Sequence, residues 1–290
     1  MYKKEFTDLL IEKLKEKLGN EYEISSHTVP KNNGIKLDSI TIGKKNQQCK
    51  PNIYIDDFFE DYLNGRSFNS IAEQILDMFY ETNVEQNFNL LEEIKDMNKI
   101  YCKFINTLAN KTMLDTLPHT EWNDLSIIYY FSFNSSDKEV MKTLTINNAI
   151  MEYIKLPLEE LHEKAMENTK KQMPGQILGM KSILSKMMGD IYSEQEDETL
   201  YILSNKKGLH GAISILQEEL LSDFCSSINA ETIYIIPSSV HEMLLFTGEM
   251  PVTEINNMIN EINSAEISGQ EVLSSNCYIY NRSLHQISVA

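Results

Sequence analysis

Between Glu231 and Phe246 the chain reads ETIYIIPSSVHEMLLF, two strand-forming runs on either side of a proline. The β-branched and aromatic residues Thr232 to Ile236 fit a pleated, half-buried surface. Pro237 has no N–H to give to a ladder, so the first run must stop there. The second run, Met243 to Phe246, reads as another strand. Between them lie Ser238, Ser239, His241 and Glu242, the densest group of chemically capable side chains in the sequence.

This pair of strands sits inside a longer order: strand Leu200 to Leu203, helix Gly211 to Leu221, the two strands, helix Ile255 to Ile262, strand Cys277 to Tyr280 and a last run from Leu284 to Val289. A βαββαβ order of this kind places two helices on one face of an antiparallel sheet, as the ferredoxin-like motif does. Residues 199–290 are therefore expected to form a C-terminal α+β domain.

The N-terminal part starts with an amphipathic helix, where Phe6, Leu9, Leu10, Leu14 and Leu18 recur at helical spacing and Gly19-Asn20 supplies the stop. Tyr22 to Val29 and Ile35 to Ile42 read as a hairpin around Asn32-Asn33-Gly34, and PNIYI at 51–55 as a third strand. Helical patterns follow at Asp56 to Leu63, at Ile71 to Tyr80 behind a capping box of Ser70 and Glu73, and at Phe88 to Ile100. Two strands, Leu125 to Phe133 and Val140 to Ile146, flank the polar turn NSSDKE, and a helix begins after Pro157. The order is helix, three strands, helices, two strands, helix over residues 1–172, an N-terminal α+β domain. Residues 173–198, with a methionine-rich helical pattern at Met180, Leu184, Met187 and Met188 and the acidic SEQEDE, read as a joint.

Charge narrows the partners. The chain has 43 acidic and 26 basic residues, a net charge of −17, which repels phosphate backbones and anionic lipid. Nucleic acid and membrane surfaces are disfavoured as partners; the excess reads first as a solubilising surface, and its sharper reading is an acidic face that recruits a basic partner or imitates DNA. No apolar run reaches the length of a membrane span, and the lysines and glutamates of the first twenty residues do not fit a signal peptide. Cys49, Cys102, Cys225 and Cys277 are far apart with no CxxC pair, which points to reduced thiols and a cytoplasmic location.

Four groups of residues have the types that chemistry needs. Ser238 or Ser239 with His241 and Glu242 contains a nucleophile, a base and an orienting carboxylate, yet it lacks the glycines of a nucleophile elbow. Ser239 and Glu242 also match S-x-x-E, the capping box of a short helix. His241-Glu242 has Leu245 where a helical zinc motif needs a second histidine, so a metal would have to draw on His119 and Asp124 from elsewhere; His119 after Pro118 reads as a turn residue bonded to the backbone. Asn205, Gly208 and Gly211 lie in a strand-to-helix turn that fits neither phosphate-loop pattern. Asp56, Asp57 and Glu60 have the oxygen ligands of a divalent ion, and they equally suit a helix start. No metal or cofactor is expected.

The element order of residues 1–170 resembles the type III secretion chaperone-like fold, which implies binding of other protein chains. Across the whole chain, PNIYIDDFFEDYLNG, LPHTEWNDLSIIYYF, LYILSNKKGLHGAISIL, IYIIPSSVHEM and MINEINSAEISGQEVLSSNCYIY together resemble a bacterial family of unknown function. The AMENT helix with the IPSS strand is similar to a second such family. Neither resemblance implies an activity or a residue role. The expectation is a non-enzymatic, acidic, cytoplasmic protein that binds another protein, with self-association open. A serine/histidine hydrolase built on PSSVHE and a DNA-mimic inhibitor are the alternatives.

Overall fold

The computed structural model describes residues 1–290 except 46, 48, 49, 51, 83–89, 135–140, 189–197 and 266. Its architecture is α+β, with helices set against antiparallel sheets. Contacts divide the chain into two compact units, Met1–Lys95 and Asp96–Ala290.

The first unit packs helix α1 (Lys3–Leu18) onto a sheet of β1 (Tyr22–Pro30), β2 (Lys36–Lys44) and β3 (Asn52–Tyr54), in the order β1-β2-β3. Asn33 turns the hairpin with φ 60°, a left-handed conformation that asparagine tolerates better than most residues. Helices α2 (Asp56–Leu63), α3 (Phe68–Thr82) and α4 (Leu90–Glu93) follow. Phe6, Leu10 and Leu14 of α1 meet Ile24, Ile40, Ile42 and Ile53 of the sheet and Ile71, Ile75 and Phe79 of α3 in one core. Each such side chain contributes about 1.5–3 kcal/mol through the apolar surface it removes from water.

The second unit contains two sheets. Strands β4 (Ile100–Asn106), β5 (His119–Trp122), β6 (Leu125–Asn134) and β7 (Met141–Thr145) form the first, with the short helix α5 (Lys111–Leu114) between β4 and β5. β4 pairs along one edge of β6, while β5 and β7 share the other edge end to end. After α6 (Asn148–Ile154), helix α7 (Leu158–Gln172) covers this sheet. The buried Thr169 hydroxyl takes the N–H of Cys102 at 3.2 Å, and Asn168 donates to the carbonyls of Met97 and Ile100. The second sheet has six antiparallel strands, drawn from β8 (Gly175–Gly179), β9 (Leu200–Asn205), β10 (Thr232–Ile236), β11 (Met243–Phe246), β12 (Tyr278–Asn281) and β13 (Gln286–Val289), in the order β13-β12-β10-β11-β9-β8. Helices α8 (Met180–Met188), α9 (Glu218–Ser227) and α10 (Val252–Ala265) complete the unit.

The βαββαβ order from β9 to β12 is present, extended by β8 and β13. Several local expectations need correcting. The pattern from Phe88 to Ile100 is only the single turn of α4 among the described residues; Asp96 then accepts the N–H of Asn98 at 3.1 Å in a 3₁₀ turn, and Ile100 already starts β4. The helix expected at Gly211 to Leu221 is a 3₁₀ turn, Gly211–Leu216, followed after Gln217 by α9. The first turn of α3 is capped by Ser67, whose Oγ accepts the N–H of Ser70 at 3.2 Å, and not by Ser70 with Glu73. Apart from these corrections, the contacts divide the chain at 95/96, and the sequence reading had its joint at 173–198. Two strands lie behind that difference: β4 gives the 125–145 strands a sheet of their own, and β8, inside the expected joint, pairs with β9. The NSSDKE turn from Ser135 on, most of SEQEDE and Cys49 lie outside the described residues.

Candidate functional site

The PSSVHE segment connects two neighbouring antiparallel strands. Pro237 ends β10, Ser239 and Glu242 exchange main-chain hydrogen bonds of 3.0 and 3.3 Å, and β11 begins at the next residue. The S-x-x-E pattern therefore closes a tight turn of a hairpin and caps no helix. Ser239 is 7% exposed, and its Oγ accepts the N–H of His241 at 3.1 Å. The serine is bonded to the backbone of the histidine, not to its ring.

The ring of His241 has a different partner. The N–H of His210 donates to His241 Nδ1 at 3.1 Å, and the two imidazoles stack at 5.5 Å and 10°. In the neutral ring the proton then sits on Nε2, which lies 3.7 Å from Glu271 Oε1. Burial, then the nearby Lys103 ammonium and His241, push the pKa of His210 down to about 3, so His210 is neutral at physiological pH. Its Nδ1 is buried without a partner among the described residues. Tyr130 stands edge-on to the His210 ring at 5.5 Å.

The loop before His210 is closed on itself. Asn205 accepts the N–H of Lys207 through Oδ1 at 2.9 Å, donates from Nδ2 to the carbonyl of Leu209 at 2.7 Å, and takes the N–H of Gly208 on its own carbonyl. Gly208 supplies a φ of 64°. Gly211 allows close approach: a Cβ there would lie 2.6 Å from Asn205 N and from His241 O, and closer still to Ser204 Oγ. The polar groups that an anion would use thus hold β9, the turn and the hairpin together.

His119, Asp124 and Asp56 are also engaged by the scaffold. His119 bonds the carbonyl of Leu117 through Nδ1 at 2.9 Å, the backbone role expected of it. Asp124 accepts from Ser274 Oγ at 2.6 Å, from Asn276 Nδ2 at 2.9 Å and from the Tyr278 hydroxyl, which joins the β5–β6 turn to the segment before β12. In the first unit Asp56 takes the N–H of Asp38 at 2.9 Å and pairs with Lys3, while Asp57 and Glu60 are exposed. Among the described residues no three His, Cys, Asp or Glu side chains gather as a metal site would require.

Two histidine networks carried no sequence pattern. On β1, His27 Nε2 meets Ser25 Oγ and Thr41 Oγ1, each at 3.0 Å. Ser25 and His27 share a face because strand side chains repeat every second residue, and that spacing was the available signal. In the second unit Thr120 Oγ1, Tyr129 Oη and His162 Nδ1 form a chain with steps of 2.7 and 2.9 Å. Burial lowers the pKa of His162 and pushes that of Tyr129 up to about 12. His162 stands on α7 and its partners on β5 and β6, so no local pattern joins them.

A cleft of about 310 Å³ beside α7 has Met166, Ile213 and Leu216 on its walls. Its acidic rim is already paired, Glu167 with Lys164, Glu219 with Lys170 and Glu218 with His285. On the first unit a shallow hollow of about 390 Å³ follows the outer face of α1, between Tyr2, Lys4, Glu5, Asp8, Leu9 and Glu12. In comparisons with known proteins, the family model described as a family of unknown function (DUF5688) matches residues 3–282. No curated protein and no solved structure matches the chain.

Proposed function

The chain belongs to this family of unknown function, and we propose from its own surface that it is a non-enzymatic, cytoplasmic binding protein whose outer α1 face receives a basic amphipathic segment of another protein. One observation carries the reading. Tyr2 is 87% exposed and Leu9 41% exposed, and the exposed carboxylates of Glu5, Asp8 and Glu12 surround them on the same side of the helix. Residues three and four apart line one helix face, so the apolar and acidic groups form a continuous strip. Apolar side chains amid carboxylates suit a partner helix with an apolar stripe bordered by lysine or arginine. The net charge of −17 adds long-range attraction for such a partner.

The cytoplasmic part rests on Cys102, Cys225 and Cys277, which are free and buried, as thiols in a reducing compartment are. Among the described residues no helix is long and apolar enough to cross a membrane.

The test is recovery of partners from the native cell by the full chain and by a Glu5→Lys, Asp8→Lys, Glu12→Lys variant, at low and high salt. A partner held by the wild-type chain at low salt, and lost both in the variant and at high salt, supports the reading. Absence of any such partner overturns it. Displacement of the partner by duplex DNA would turn the reading toward a DNA mimic.

A further inference from the structure

The edge of the first sheet offers a separate surface. β1 pairs with β2 in unbroken register over nine residues, Tyr22 to Pro30, and among the described residues no strand pairs with its other side. Two main-chain bonds just outside β1 fix which groups face outward: Lys45 N donates to Glu21 O, and Lys31 N to Ile35 O. Residues 21 and 31 thus belong to hydrogen-bonded pairs, and in an antiparallel ladder such pairs alternate. The N–H and C=O groups of Ile24, Ser26 and Thr28 therefore point away from β2. Ser25, Ser26, His27 and Thr28 are all exposed.

Edges of this kind are ordinarily blunted by lysine, proline, a bulge or an inward charge. From Ile24 to Val29 the strand has none of these; Pro30, the last residue of β1, has no outward N–H, so the free donors are those of Ile24, Ser26 and Thr28.

We propose that β1 pairs with β1 of a second copy of this chain, antiparallel about a two-fold axis through Ser26. Opposite residues then sum to 52, so Ser26 faces Ser26 of the second copy and Ile24 faces Thr28. The outward N–H and C=O groups of these residues exchange hydrogen bonds across the axis, and the two three-stranded sheets become one of six. The side chains match in the same register. Glu23, the single charged residue of β1, lies across from Val29, and Ser25 across from His27. Glu21, just before the strand, comes opposite Lys31, just after it, and the symmetry repeats this opposite-charge pair at the other end. A chain of net charge −17 repels its own copies over most of its surface. β1 holds a single carboxylate, Glu23, so the strip adds little to that repulsion and has no row of carboxylates to recruit a basic strand.

Sedimentation velocity on the full chain over a range of concentrations tests the proposal, together with amide hydrogen exchange. The expected result is a concentration-dependent dimer in which the amides of Ile24, Ser26 and Thr28 gain protection. Ser26→Lys sets two ammonium groups against each other on the axis, and Ser26→Pro removes the two central donors without breaking a bond to β2. Each should weaken the dimer on the order of tenfold or more. Ser26→Lys keeps the backbone donor, so it decides the matter if the proline variant does not fold. A chain that stays monomeric at every concentration overturns the proposal, and so does a dimer indifferent to a folded Ser26→Lys variant.

Discussion

The main-chain N–H of His210 donates to Nδ1 of His241 at 3.1 Å, and the two rings lie stacked one on the other. This bond spans the loop after β9 and the β10–β11 hairpin. It takes up the ring nitrogen that a serine nucleophile would need if His241 presented Nδ1 as its base. Ser239 Oγ is meanwhile bonded to the amide of His241. General-base activation needs the hydroxyl within reach of a free ring nitrogen, whereas Ser239 Oγ is bonded to the main chain.

Reactivity at the turn is accordingly expected to be absent. A fluorophosphonate probe should leave the folded chain unlabelled, and Ser239→Ala should lower stability by about 0.5–1.5 kcal/mol through loss of the turn bond. An adduct that disappears in Ser238→Ala or Ser239→Ala would restore the hydrolase reading.

Asp124 is expected to act on stability. Its carboxylate receives Ser274, Asn276 and the Tyr278 hydroxyl, and Tyr278 is fully buried. Burial, and then the hydrogen bond to Asp124, raise the pKa of that phenol, so it remains a donor throughout the physiological range. Asp124→Ala leaves a buried hydroxyl without its charged acceptor and should cost about 2–4 kcal/mol in urea unfolding. A loss below about 1 kcal/mol would show that the segment before β12 is held by other contacts.

How much of this was legible locally depends on where each partner lies in the chain. α1 and α2 follow the periodicity of their apolar residues, and the β1–β2 hairpin follows Asn32-Asn33-Gly34. β4 was hidden because IYCKFIN continues a helical-looking stretch, although Ile100, Cys102 and Phe104 alternate as a strand and are all buried. S-x-x-E at 239–242 serves a helix start or a turn equally well, and the pairing of β10 with β11 decides between them. Asp124 follows Asn123, whose φ is 51°, in an ordinary-looking turn. Its partners come 150 and more residues later, beyond any local pattern.

The depressed pKa of His210 makes a prediction about acid. In the folded chain this ring stays neutral down to about pH 3, whereas in the unfolded chain it takes a proton near 6.5. Between these values the unfolded state holds the extra proton, so stability rises with pH across the window. The contribution is fully present above 6.5 and is lost as the pH falls toward 3, with a slope approaching about 1.4 kcal/mol per pH unit for one proton. His210→Asn keeps the N–H that His241 accepts and suits the local φ of 52°. Urea midpoints measured from pH 4 to pH 8 should fall less steeply on acidification in the variant. Parallel curves would mean that His210 is protonated in the folded state as readily as in the unfolded one.

Gly208 and Gly211 separate a backbone role from a ligand role in their loop. A Cβ at Gly208 meets nothing within 4 Å, so Gly208→Ala should cost only the left-handed φ, about 1–2 kcal/mol. At Gly211 the same methyl would press on Asn205 N and His241 O, main-chain atoms of β9 and of the hairpin turn that cannot rotate aside. Gly211→Ala should therefore separate those elements, cost about 1–3 kcal/mol or more, and weaken the His210–His241 bond. Urea unfolding gives the first quantity, and exchange of the His210 amide gives the second. Gly211 has no left-handed φ, so a cost there reports the close approach and not backbone conformation. A Gly211→Ala chain of unchanged stability would remove the close approach from the account, and the loop would again be open to a bound anion.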